Sequence, residues 1–158
     1  MNPVARHARL TGTVCVLLAL LLAACASSPK PTVIQATLQV QADVNPDARG
    51  RASPIVVQLY ELKSLAVFNG ADFFSLYERY KDTLGAELVA HDELQLMPGE
   101  TRRLERVLQP DTQYLGVVAG FRDLERSQWR AATAVTPHQV SPLTIQLENN
   151  QIRITAPP

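Results

Sequence analysis

Few residues in this sequence stand where they could do chemistry, and the clearest of them is a thiol. Leu22-Ala23-Ala24-Cys25 places an aliphatic residue and two small ones before a cysteine. This is the pattern of a lipobox, in which small side chains fit a narrow protease site and the thiol receives a diacylglycerol. Asp92-Glu93 is an adjacent carboxylate pair that could divide acid and base roles if the two pKa values were pushed apart. Neighbours on a strand point to opposite faces, however, which argues against a shared site. His91 and His138 stand without the Cys, His or carboxylate spacing of a metal site, and His7 falls in the leader. No nucleophile elbow, phosphate-binding loop or dinucleotide fingerprint occurs. The expectation is therefore no enzyme, no metal, no small-molecule substrate and no cofactor beyond a covalent lipid on Cys25.

The elements around Cys25 support this chemistry. Arg6, His7 and Arg9 precede an apolar run from Val14 to Ala24. Such a run is too short for a spanning helix, which needs roughly 20 residues, and suits a signal peptide over 1–24. Cys25 and the following residues to 32, with Ser27, Ser28, Pro29 and Pro31, read as a lipidated terminus and extended tether. Acyl chains would hold the protein stably at a bilayer. Ala26 stands where an aspartate would favour inner-membrane retention, so the expected location is the periplasmic leaflet of the outer membrane, with residues 33–158 forming one domain in the periplasm. Cys15 would leave with the leader, so no disulfide is available. The chain carries 15 basic and 15 acidic residues; loss of Arg6 and Arg9 leaves 13 against 15, a net charge of −2 that suggests no nucleic-acid partner.

In the remaining chain the dominant hydrophobic period is two. Leu38, Val40, Ala42 and Val44 alternate with polar residues, and Ile55 to Leu62 forms a more apolar run expected at the centre of a sheet. Glu87 to Leu96 and Thr101 to Val107 flank Met97-Pro98-Gly99-Glu100, which predicts a type II turn and, with it, a hairpin. Tyr114 to Arg122, Trp129 to Val135, Leu143 to Leu147 and Ile152 to Ile154 complete about eight strands. Pro137 and Pro142 are expected to bracket a connection, and Asn149-Asn150 to form a tight turn. Between Phe68 and Gly85 the period changes: Phe73, Leu76, Tyr77, Tyr80 and Leu84 recur at helical spacing, with Asp72 as N-cap or Ser75 and Glu78 as a capping box. The pattern describes a mainly β, two-sheet β-sandwich with one inserted helical element around 70–84.

Several short motifs occur in a distinctive order: Asn45-Pro46-Asp47, Gly50-Arg51, Ser53-Pro54, Tyr60-Glu61-Leu62-Lys63, Ala71-Asp72-Phe73, Pro98-Gly99-Glu100, Leu115-Gly116-Val117-Val118-Ala119, Phe121-Arg122-Asp123 and Trp129-Arg130. In this order the chain resembles the TssJ family of type VI secretion lipoproteins. The resemblance implies a transthyretin-like sandwich. It also implies a structural role in the type VI secretion membrane complex, in which the protein binds the periplasmic C-terminal region of the inner-membrane protein TssM and ties the machine to the outer membrane. It further implies that the loop between the first two strands holds the partner, here Asn45, Pro46, Asp47, Arg49, Gly50 and Arg51. Pro46 and Pro54 at its ends, Gly50 at a tight turn and the charges of Asp47, Arg49 and Arg51 at an exposed tip are compatible with that role. A second reading keeps the same fold: a periplasmic recognition module for a glycan or an envelope protein. Solvent exposure of Phe68, Phe73 and Tyr77 in a groove would favour it.

Overall fold

The computed structural model describes residues 29–156; the expected leader and Cys25 lie outside the described residues. Eight strands form two four-stranded sheets. One has the order β4-β1-β7-β8, from Thr101–Val107, Val33–Val40, Val140–Glu148 and Gln151–Thr155; the other has the order β3-β2-β5-β6, from Leu88–Leu96, Ile55–Leu62, Tyr114–Ala119 and Arg130–Ala134. β1 lies parallel to β7, and the other pairings are antiparallel.

Alternation sets the core. Ile34, Ala36, Leu38 and Val40 on β1 and Leu143, Ile145 and Leu147 on β7 face Ile55, Val57 and Leu59 on β2 and Leu115, Val117 and Ala119 on β5. Each buried Val, Leu or Ile side chain contributes about 1.5–3 kcal/mol. β1 begins and ends earlier than its sequence pattern suggests: after Val40 the chain turns, with the Val44 amide donating to the Gln41 carbonyl, and Ala42 is exposed.

β2 is buried along nearly its whole length because both its faces are covered, and its two polar residues, Gln58 and Glu61, are buried with it. Its outer residues Tyr60 and Leu62 join Val118, Phe68, Leu76 and Leu84 in a second cluster beneath the helical insertion. That insertion is three single-turn helices, α1 Ala66–Gly70, α2 Phe73–Tyr77 and α3 Tyr80–Leu84, and not one continuous helix. The cause lies in the carbonyls at the break. Thr83 Oγ1 donates to Ser75 O, Tyr60 OH to Leu76 O and Gln58 Nε2 to Tyr77 O, occupying acceptors that an unbroken helix would offer to residues 79–81. Asp72 is the N-cap of α2, accepting from the Ser75 amide at 3.0 Å, and Gly85 ends α3 at a φ of 49°.

The expected β3–β4 hairpin does not form. The turn itself is present, with Gly99 at φ 77° and the Glu100 amide donating to Met97 O at 3.1 Å, but the two strands enter different sheets. β4 instead pairs with β1, where its alternate residues cover the open rim of the core. Pro142 lies inside β7, not in a connection, at a level that β8 does not reach.

The two rims of the sandwich are treated differently. Near β6 and β8, Gln128 joins the sheets: its amide donates to Asn150 O and its carbonyl accepts from the Ile152 amide. At the other rim, inward-pointing arginines of β4 reach β3, Arg102 to the Gln95 carbonyl at 3.1 Å and Arg106 to Asp92. Inward charges of this kind discourage a further strand from adding to an edge. Buried Glu61 completes the group, accepting from the Gln109 amide at 2.8 Å and Thr112 Oγ1 at 2.7 Å. Asp92 therefore serves the rim, while Glu93 accepts from Gln58 on the other face, so the carboxylate pair is divided as strand geometry requires.

Candidate functional site

The loop from Gln41 to Pro54 is built around one aspartate. Asp47 Oδ1 accepts from the backbone amides of Arg49 at 2.8 Å and Arg51 at 3.0 Å, and Oδ2 accepts from Arg51 Nε at 2.9 Å. The Arg51 amide, the Arg51 guanidinium and the Arg49 amide hold the Asp47 carboxyl below its ordinary range. The Asp47 amide in turn donates to Arg51 O, and Gly50, at φ 75°, donates to Asp47 O. A side chain at position 50 would find open space but a strained backbone, which explains a glycine at the tip.

Asn45 occupies a different place from its neighbours. It is only 3% exposed and adopts φ 51°. Its amide donates to Asn149 O at 2.7 Å, its Nδ2 donates to Pro54 O at 2.9 Å, and its Oδ1 accepts from the Arg122 amide at 2.8 Å. One side chain and its backbone thus join the first loop to the β5–β6 loop and the β7–β8 turn. The β3–β4 turn closes the same end, since the Val40 amide donates to Glu100 O.

Of the six loop residues singled out from the sequence, Arg49, Gly50 and Arg51 are exposed at the tip, with the Arg51 side chain 71% exposed. Pro46 and Asp47 are half-buried supports, and Asn45 positions the loop from within. Arg122 lies near enough to Asp47 to favour its charged form, and Asp123 pairs with Arg126 at 4.0 Å. Trp129 and Arg130 are structural: Arg130 Nη1 donates to the Phe68 and Ala71 carbonyls while its guanidinium stacks on Trp129 at 4.8 Å.

At the opposite end of the sandwich a shallow groove of about 510 Å³ runs between Lys63, Asp111, Tyr114 and Pro137. Among the described residues no group of three or more His, Cys, Asp or Glu could hold a metal ion, and no helix is long and apolar enough to cross a membrane.

Fold and site together define, over the described residues, a two-sheet β-sandwich with a preorganised loop at one end and a shallow groove at the other. The chain belongs to the type VI secretion lipoprotein family described as VasD, EvfM and TssJ, whose model matches residues 32–150. Its structure is similar to that of the lipoprotein TssJ1 from Pseudomonas aeruginosa, with 43% identity, a TM-score of 0.79, and coverage of 81% of this chain and 98% of that one. Serratia marcescens Lip, described as a membrane bound component of the type VI secretion system, matches at 26% identity and a TM-score of 0.69, covering 79% of this chain and 98% of Lip. A chain of a type VI membrane complex shares the fold at 23% identity and a TM-score of 0.68, covering 82% of this chain and 100% of that one. No relative among curated proteins matches.

Proposed function

We propose that this lipoprotein is the outer-membrane anchor of a type VI secretion membrane complex, acylated on Cys25 and binding the periplasmic C-terminal region of TssM through the loop Asn45–Arg51. The observation that carries the reading is the placement of that loop. The chain enters the domain at Val33, and β1 carries it to Val40 at the far end, about 23 Å away for seven extended steps. A lipid-anchored amino terminus and the loop then lie at opposite poles, which leaves the loop facing away from the bilayer and free to engage a protein that reaches across the periplasm.

The loop is also preorganised. Asp47 and Asn45 hold its backbone in one arrangement before any partner arrives, which reduces the ordering cost of association. Exposed arginines at its tip suit interface anchors. The recognition-module reading draws little support: Phe68 is fully buried, and Phe73 and Tyr77 are half-buried and stacked on one another at 4.8 Å.

The test is a titration of the domain lacking residues up to Cys25 against the periplasmic C-terminal region of its cognate TssM, with an Arg49→Ala, Arg51→Ala double variant. Binding by the parent and weaker binding by a folded variant is the expected result. Equal affinity would move the contact to another surface, and no binding by the parent would overturn the reading.

A further inference from the structure

The outer face of the β4-β1-β7-β8 sheet changes character along its strands. Val33 of β1 is in register with Val107 of β4 on one side and Val140 of β7 on the other, so three valines form one row at the end where the chain enters the domain. Val107 is 61% exposed and Val140 is 56% exposed, the two highest values among the exposed large hydrophobics of the described residues. The next row is Glu105, Gln35 and Pro142, and those beyond it are Arg103, Thr37 and Thr144, then Thr101, Gln39 and Gln146. The face is thus apolar in its first row and, apart from Pro142, polar from there on.

The chain outside the described residues indicates what covers this row. The segment entering β1 is tied to the domain: His138 Nδ1 lies 2.8 Å from the Lys30 carbonyl, the His138 amide donates to Thr32 Oγ1 at 2.9 Å, and Leu108 donates to the Thr32 carbonyl. From Lys30 back to Cys25 is five residues, which at full extension reach no more than about 18 Å. The first row is therefore the part of the sheet closest to any lipid carried on Cys25, and Lys30 adds a cation to the segment that leads into it. An apolar row with a neighbouring cation fits the boundary between headgroups and acyl chains.

We propose that the Val107–Val33–Val140 row rests against the phospholipid surface, fixing the orientation of the domain on the bilayer so that the Arg49–Arg51 loop points away. The contact rests on the acylation of Cys25 put forward above. Because the anchor already holds the protein at the surface, the row sets orientation and not the fact of binding.

The experiment uses full-length protein processed and acylated in the cell envelope, then reconstituted into vesicles of phosphatidylethanolamine and phosphatidylglycerol. A fluorophore is attached at Gln35→Cys in the second row or at Thr101→Cys in the last, and quenching by headgroup nitroxide lipids is measured. Quenching at position 35 should be several-fold stronger than at 101, and Val107→Asn with Val140→Asn should abolish the difference while the protein stays on the vesicles. Equal quenching at both positions, or a difference that survives the asparagines, overturns the orientation contact alone. Self-quenching at position 35 without lipid quenching also overturns it, in favour of a second copy on this face. A processed chain without acyl mass on Cys25 overturns both the anchor and the contact, since nothing then brings the row to lipid.

Discussion

Asn45 accepts a hydrogen bond from the backbone amide of Arg122, 77 positions later, at 2.8 Å, and this bond holds the first loop against the β5–β6 loop. Replacing the side chain leaves that amide and the Pro54 carbonyl without their partners, and an alanine must also adopt the positive φ of 51°. Asn45→Ala is expected to cost about 2–3 kcal/mol, measured by urea unfolding. Because Asn45 is buried, any accompanying loss of partner affinity would come from a disordered loop and not from a lost contact.

Asp47 gives the same loop a dependence on acid. Hydrogen bonds from Arg51 and Arg49 depress its pKa below the ordinary 3.8. A carboxylate with a depressed value contributes order above its unfolded pKa and loses it as pH falls through the folded value. The amide resonances of Arg49 and Arg51 should therefore titrate together below 3.8. Asp47→Asn should remove that titration; a titration persisting in the variant would assign it to another group.

Gly116 is the floor on which the helical insertion sits. A Cβ there would come within 2.9 Å of the Phe68 ring and 3.0 Å of Leu62. Gly116→Ala should destabilise the protein by about 1–3 kcal/mol through overpacking. Combining it with Phe68→Leu should recover part of that loss relative to the sum of the single changes, and strict additivity would show that the two sites do not share the space.

His91 ties stability to mildly acidic pH. Its ring stacks on Tyr80 at 4.0 Å, its Nε2 is buried without a hydrogen-bond partner, and burial lowers its pKa below 6.5. Glu93 and Asp92 oppose that shift, while Lys81 and Arg106 add to it. The unfolded chain thus takes up the proton first, and the contribution of the neutral ring is complete above 6.5 and declines as pH falls toward the folded value. His91→Phe should lessen the drop in urea midpoint between about pH 7.5 and about pH 5. An unchanged drop would place the acid sensitivity elsewhere.

Much of the architecture follows from period and turn chemistry. The alternation in β1 and β7, the doubly covered run of β2, the aromatic stripe of the insertion and the positive-φ positions at Gly50, Gly85, Gly99 and Asn149 are local features, set by residues within one element. The order of short motifs was legible for the same reason, since most are turns, caps or strand ends with their own stereochemistry.

Partnership between distant segments was not legible in this way. The Pro98-Gly99 turn reverses the chain whether or not its flanking strands pair, and β4 pairs with β1 in the other sheet. The helical stripe is continuous in sequence, yet Tyr60 and Gln58 of β2 break it by taking its carbonyls. Asn45 reads as one more polar loop residue until the Arg122 and Asn149 loops close over it. The sequence by itself determined which segments are strands, helices and turns, because those preferences act over a few residues. The tertiary structure alone decided which strands share a sheet, where the insertion breaks and which loop residues are buried, because those outcomes depend on groups brought together from tens of residues apart.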